Sequence, residues 1–272
     1  MRIGILHSYQ LSGSGSCVYV RSLGALAKLP GHEVHVISSE PEPRSFPDVY
    51  LAYGHRGGVR RELFRHERRL GAFVSHTLEL DYQPIAYPRA EVDRARSPLF
   101  TELSDRQMEE YIDCLVERVD GIVEQEKLDV LHAHHMGPKA VTAARIRKRR
   151  GIPYVVTVYG TFFEYVVRRD RRFLSWAQEG LVNADVVIAL NEDVKQRILA
   201  VQPGIEERIV ILPVGVDLVR FAPLLAGRER CEHGRQCSGR GGPNGPLANC
   251  MTPAEFFPRW SRASVIHFDK TP

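Results

Sequence analysis

Hydrophobic positions along this chain come in two rhythms that take turns. Short, nearly continuous apolar runs occupy 2–7, 33–38, 73–80, 130–135, 154–158, 186–190 and 209–212, with the lengths and β-branched content of buried strands. Between them lie stretches whose apolar positions recur every three or four residues. The clearest is 103–126, where Met108, Ile112, Leu115, Val119, Ile122 and Val123 share one helical face. Residues 17–29, 139–150, 162–182 and 192–201 predict further helices. The 139–150 stretch carries a stripe of Ala140, Val141, Ala143, Ala144 and Ile146 and ends in cations that suit a helix C-terminus. Gly151 is its stop and Pro153 blocks resumption. Strands separated by helices are joined by crossovers. The pattern therefore predicts an α/β fold, a Rossmann-like, doubly wound, mostly parallel sheet in a single domain. Residues 41–71, punctuated by Pro41, Pro43, Pro47, Gly54, Gly57 and Gly58, predict a loop. Its basic segment 60–69 (RRELFRHERR) predicts a solvated helix face.

Open parallel sheets bind ligands beyond the carboxyl ends of their strands, so the residues where each run stops are the candidates for chemistry. His134 and His135 end one run, and Tyr159-Gly160-Thr161 ends the next. His7, Ser38 and Asn191 stand at three more ends, and Asn191 is placed to cap the helix that begins with Glu192. One histidine at a strand end is most simply a polar residue bonded to its loop. Five polar ends on one rim point to a site. After the first run comes Gly13-Ser14-Gly15 and then a helix. Backbone N–H groups clear of side chains at a helix N-terminus favour an anion such as a phosphate. The same composition also suits a plain turn.

The 272 residues, 43% apolar and 26% charged, are ordinary for a globular protein, and no apolar run reaches the ~18 residues of a spanning helix. The N-terminus turns polar too soon for a secretory signal. Five scattered cysteines, Cys17 and Cys114 among them in predicted helices, suggest reduced thiols and a cytoplasmic location. A net charge of +4 does not argue for nucleic acid. Near Pro223 the character changes. Residues 224–272 are rich in Gly, Arg and Pro without periodic apolar positions, which predicts a domain over 1–223 and a disordered tail. Cys231, His233, Cys237 and Cys250 lack the paired spacing of a zinc knuckle, so no metal site is expected.

Taken in order, several segments resemble the N-terminal domain of the family 4 glycosyltransferases of GT-B fold. They are the Gly/Ser loop with GHEVHVIS at 31–38, DVLHAHH at 129–135, GIPYVVTVYGT at 151–161, ADVVIALNEDVKQRI at 184–198 and RIVILPVGVDLVRFAP at 208–223. The resemblance implies a retaining enzyme that moves a hexosyl group from a UDP- or GDP-sugar co-substrate to a sugar acceptor, with no permanently bound cofactor. By position it implies that Gly13, Ser14 and Gly15 meet the donor diphosphate and that His134 is the catalytic histidine. His7, His135, Tyr159, Gly160, Asn191 and Glu192 would line the acceptor side. The family often has His where this chain has Tyr159, and Asn where it has Val214. The family's donor domain, with its Glu-x7-Glu pair, is not expected here. About fifty residues follow Asp217, against ~150 for a doubly wound domain, and neither Glu229 nor Glu232 has a glutamate eight positions on. The expectation is an acceptor-side half, truncated or frame-shifted and inactive alone. A lipid-linked acceptor and peripheral contact with the inner membrane face through the basic segments stay open.

Two other classes fit parts of the pattern. An NAD(P)-dependent oxidoreductase is suggested by Gly13-Ser14-Gly15, with Glu40 about 25 positions on, but Val18 stands where the third glycine of the fingerprint belongs. A non-catalytic binding domain, or one half of a split enzyme, is the other.

Overall fold

The chain alternates strand and helix as its hydrophobic rhythm predicts. The computed structural model describes residues 1–13, 15–25, 31–67, 72–88 and 97–215. Ser14, the first helix past Ala25, Arg68, Arg69 and the whole of 224–272 with its four candidate metal ligands lie outside the described residues. In chain order the elements are β1 (Arg2–Leu6), α1 (Gly15–Ala25), β2 (Glu33–Ser38), β3 (Val49–Arg56), β4 (Val59–Arg65) and β5 (Phe73–Leu78). Then come α2 (Asp105–Glu126), β6 (Val130–His134), α3 (Pro138–Arg150), β7 (Tyr154–Val158), α4 (Leu174–Val182), β8 (Val186–Ala189), α5 (Glu192–Val201) and β9 (Ile209–Ile211). Met1–Ile211 is one compact unit; a second begins at Leu212, of which 212–215 are described.

The nine strands make one sheet in the order β4-β3-β5-β2-β1-β6-β7-β8-β9, and every neighbouring pair except β3–β4 is parallel. From β1 the chain winds one way through β2 and β5, then returns to the centre and winds the other way from β6 to β9. The direction reverses between β1 and β6, which is where a doubly wound sheet opens a crevice. The central strands β6, β7 and β8 are buried along their whole length, as near-continuous apolar runs require in a parallel sheet.

Local chemistry sets the helix ends. Ser104 caps α2 by accepting from the Gln107 N–H, and the Gln107 side chain returns to the Ser104 N–H at 2.9 Å. Gly151, left-handed at φ 73°, ends α3 by donating to the Arg147 carbonyl. One continuous core joins the sheet to α2, α3, α4 and α5, with Leu6, Ile37, Ile112, Leu115, Val141, Val156 and Ile198 essentially without exposure.

Two expectations are corrected. Residues 41–71 are not a loop: they contain the antiparallel hairpin β3–β4 on the sheet edge. The cause is Gly57-Gly58, both at positive φ (54° and 78°), a two-residue turn of the kind that matches strand twist. The part of the segment read as a helix face that lies in 60–65 is therefore an edge strand. Its described arginines are matched by acids: Arg60 pairs with Glu126, Arg61 with Glu79 and Arg65 with Glu62. Residues 162–182 are mostly helical, as expected, though in separate pieces. A π-turn (Phe163–Val167) is followed by a break at Asp170, whose carboxylate accepts from the Arg172 N–H, before α4 starts. Three cations toward the end of α3 are likewise engaged, Arg145 with Glu109, Asp113 and Glu179, Arg147 with Asp185, and Arg150 with Asp120 and Glu124. Among the described residues no helix is long and apolar enough to cross a membrane.

Candidate functional site

Three strand ends meet at the reversal point. β6 stops at His134, and His135 turns into the left-handed region at φ 69°, a conformation that costs a side-chain-bearing residue roughly 1 kcal/mol or more. Its N–H donates to the Thr157 carbonyl at 2.9 Å, which holds the turn. The imidazole then lies 4.7 Å from the Tyr159 ring and 5.6 Å from that of Tyr9. Beyond β7, Gly160 at φ 85° lets the backbone swing so that Tyr159 and Thr161 both border the same space. That space is a cleft of about 310 Å³ walled by the rings of Tyr9, Tyr87, His135 and Tyr159. Gly15, Ser16 and Thr161 add polar groups, and Ile85 and Ala86 an apolar patch. The start of α3 sits close behind, because Gly137 has no Cβ: one built there would lie 2.6 Å from the Phe162 ring.

Beneath the cleft is a second, closed layer. Registry of Ile5 with His132 puts His132 and His134 on the sheet face that Ile5 shares. On that face the His134 ring lies tilted 4.4 Å from His132 and meets Tyr19 of α1 edge-on at 6.1 Å. His134 therefore has no exposed surface; its Nδ1 is 2.7 Å from the Tyr159 hydroxyl. His132 Nε2 is 2.8 Å from Thr157 Oγ1, and His7, equally buried, has Nε2 3.5 Å from Cys17 Sγ. The histidine implied as catalytic lies under the site, and its neighbour His135 borders it. Strand alternation is the reason: the last strand residue goes under α1, and only the residue after the left-handed turn escapes.

Burial decides the protonation states. Desolvation brings His132 and His135 down to about 4 and carries His7 and His134 well below the ordinary histidine value. All four are neutral near pH 7. Burial raises the Tyr159 phenol well above its ordinary value, so it stays protonated and able to donate. Nε2 of both His134 and His135 has no hydrogen-bond partner among the described residues. Lys139, in the first turn of α3, is 1% exposed with Nζ unpartnered, and desolvation brings it down to about 7.

Of the residues expected at the site, Gly15, His135 and Tyr159 line the cleft. Gly13 is left-handed at φ 97° in the preceding loop, and Gly160 supplies the turn between two lining residues. Asn191 caps α5, accepting from the Val194 N–H at 2.9 Å, and Glu192 accepts from the Gln196 side chain. Both are exposed and neither lines the cleft. Glu40, weighed as a ribose ligand, is 4% exposed and committed to the backbone: it accepts from the Leu11 N–H at 2.8 Å and the Glu42 N–H at 2.9 Å. It clamps the loop that leads to α1. Sequence reasoning did not find Tyr9, Ser16, Ile85, Ala86 or Tyr87 as lining residues. Tyr9 lies two residues past His7 and could have been found from the β1 end, whereas 85–87 carry no motif.

A doubly wound, mostly parallel sheet with a cleft at its reversal point defines a Rossmann-like domain. The chain belongs to the glycosyl transferase 4-like domain family, whose pattern matches residues 14–215. It is 22% identical over 174 residues to an uncharacterized glycosyltransferase, MJ1178, of Methanocaldococcus jannaschii, covering 60% of this chain and 47% of that protein. The chain thus spans about half the length of the curated relative it matches. Among solved structures it is similar to sucrose-phosphate synthase from Thermosynechococcus elongatus, with TM-score 0.50, 15% identity, and coverage of 83% of this chain and 52% of that one. That likeness is one of fold. A UDP-GlcNAc 2-epimerase from Neisseria meningitidis, bound to UDP-GlcNAc, aligns at TM-score 0.44 and 11% identity over 85% of this chain and 50% of that one.

Proposed function

We propose that the cleft beyond β1, β6 and β7 holds the acceptor in a hexosyl transfer from a UDP- or GDP-sugar. Membership of a glycosyltransferase family supports glycosyl transfer in general; one local observation supports the acceptor assignment. His135 is a neutral imidazole, held in strained backbone, that borders a cleft lined by Tyr9, Tyr87 and Tyr159. A neutral imidazole both donates and accepts, which suits a sugar hydroxyl. Rings of Tyr9, Tyr87 and Tyr159 offer the flat apolar faces on which a sugar ring packs, with few polar groups to fix its orientation. His134 acts through Tyr159, its bond to the phenol holding that ring in place. It is a positioning residue.

The chemistry of transfer asks for more than one wall. Orientation of two substrates and stabilisation of the departing diphosphate supply most of the rate in such reactions. The loop carrying Gly13, Ser14 and Gly15 would meet the diphosphate from this side. The remaining donor contacts are assigned to a second wall, so the chain alone binds acceptor and turns over little. A lipid-linked acceptor is the partner class to try first, with any membrane contact peripheral.

The test is acceptor binding. With the full chain, titration of free and lipid-linked glycans in detergent identifies a binder. His135→Ala then weakens it at least tenfold, about 1.4 kcal/mol, and Tyr159→Phe weakens it less, with the thermal transition retained in both. Unchanged affinity in a folded His135→Ala removes the assignment. Labelled UDP- and GDP-hexoses added to the chain alone should leave the acceptor unlabelled; robust transfer would overturn the two-wall part.

A further inference from the structure

A second set of histidines lies away from the cleft. His35 on β2, His76 on β5 and His55 on β3 are all buried on the sheet face opposite His132, the face that Gly4 and Leu6 share. Glu126, the last residue of α2, comes down on the same spot. His35 Nδ1 is 3.1 Å from His76 Nε2 and 4.0 Å from Glu126 Oε2, and the three ligand atoms all lie within 4.8 Å of one another. Four-coordinate Zn²⁺ at 2.0–2.1 Å from each ligand needs ligand atoms about 3.3 Å apart. The His–His edge is already that short. The carboxylate edges close with a small rotation of one side chain at a helix end.

From this convergence we propose that His35, His76 and Glu126 form a binding site for a divalent cation of the zinc class, tying β2 and β5 to the C-terminus of α2. Two imidazole nitrogens and one carboxylate oxygen suit zinc and its borderline neighbours and do not suit calcium or magnesium, which take oxygen ligands. A water completes the set, and the site is structural.

The surroundings are those of a supported metal ligand set. A ligating histidine commonly gives its other ring N–H to an outer acceptor, which fixes its tautomer. His76 Nδ1 lies 2.9 Å from His55 Nε2, so a proton on Nδ1 leaves Nε2 as the lone-pair donor. The His76 ring is stacked at 5.6 Å on Tyr53, itself covered by the Arg60 guanidinium 3.5 Å from its centroid. Arg60 also pairs with Glu126 Oε1 at 2.8 Å, which leaves Oε2 as the oxygen turned toward His35. Three elements distant in sequence thus present their donors to one point, with His76 and Glu126 oriented from behind. Nothing in the proposed acceptor cleft takes part, so this site stands or falls independently of glycosyl transfer.

Co²⁺ and Zn²⁺ titrations of the chelator-treated full chain test the proposal. We expect Co²⁺ to give visible d–d bands of a four-coordinate nitrogen/oxygen site, saturating at one ion per chain and displaced by Zn²⁺. Zn²⁺ should raise the thermal transition. Glu126→Gln, at a partly exposed helix end, should keep the metal-free transition and bind at least tenfold more weakly, and His35→Asn should lose the bands. Should His35→Asn fail to fold, Glu126→Gln decides alone. Absence of saturable bands overturns the site. So does wild-type affinity in Glu126→Gln, or a thiolate charge-transfer band marking cysteine coordination at the far end of the chain.

Discussion

The molecule holds two rows of buried histidines on opposite faces of one sheet, and they end differently. On one face His132 and His134 run out along β6 to the rim, where His135 leaves the strand through a left-handed turn and borders an open cleft. On the other, His35, His76 and His55 cross three neighbouring strands and are shut in by Glu126 and the Arg60–Tyr53 stack. Residue type and burial are nearly the same in both. What differs is the direction of the row. A row along a strand reaches the edge of the sheet, where a left-handed residue can set its side chain against a cleft. A row across strands stays inside, where converging lone pairs suit a cation.

Both rows answer to pH: burial lowers His55 to about 4 and His76 well below the ordinary value, and the cleft rings add to them. Unfolded histidines take up protons near pH 6.5, whereas His132 and His135 hold out to about 4 and His7 and His134 lie below the ordinary value. The unfolded chain therefore binds more protons as pH falls below about 6.5, and stability drops toward pH 4. The loss is at most about 3 kcal/mol for each of His132 and His135, and less than additive because the rings adjoin. Urea melts between about pH 7 and about pH 5, above most carboxylate titration, should show a falling midpoint. His132→Leu should flatten the slope. A midpoint independent of pH in that window would show these rings open to water.

Lys139 sharpens the contrast, because behind the cleft a buried donor has no acceptor among the described residues. Its ammonium is pushed from the ordinary 10.5 to about 7, so between those values the unfolded chain holds a proton that the folded chain does not. Stability rises with pH across that span, and near pH 7 the penalty is close to its full size. Lys139→Met, similar in length and apolar, should therefore stabilise by about 2–4 kcal/mol at pH 7. The gain should shrink above pH 10. Denaturant midpoints at the two pH values check it, and a destabilised Lys139→Met would mean that Nζ has a partner.

Much of this was legible in the residues, for physical reasons that also mark the limit. Buried parallel strands are near-continuous apolar runs, so β1, β2, β6, β7 and β8 announce themselves, and Asn191 and Gly151 mark helix ends by local bonding alone. The β3–β4 hairpin hid because proline and glycine spacing suggests loop, although Gly57-Gly58 is the turn itself. The site was half legible. Alternation names which residues share a face, but not which face a helix covers. That is why His134 was expected at the site and lies beneath Tyr19, while His135 borders the cleft. Tyr87 and Ile85 reach the cleft from a segment with no periodic pattern.

The smallest expected effect concerns how the cleft keeps its shape. Its edge at Tyr9 and Gly15 belongs to the loop after β1, and Glu40 spans that loop from β2's end with two charge-assisted bonds to the Leu11 and Glu42 N–H groups. Glu40→Gln keeps the volume and removes the charge, and its amide nitrogen must face one of the two N–H donors. One bond is lost, with a cost of about 1 kcal/mol. The loss is local: global unfolding should move little, while hydrogen exchange at Leu11 or Glu42 speeds severalfold and acceptor affinity falls by a smaller factor. The closed row on the opposite face should not notice, so a Co²⁺ titration of Glu40→Gln should match wild type. Slowed exchange at both amides would mean the loop is held by something other than this carboxylate. Cleft and closed row would then no longer differ as proposed, since the open one depends on loop bonds that water can contest and the closed one does not.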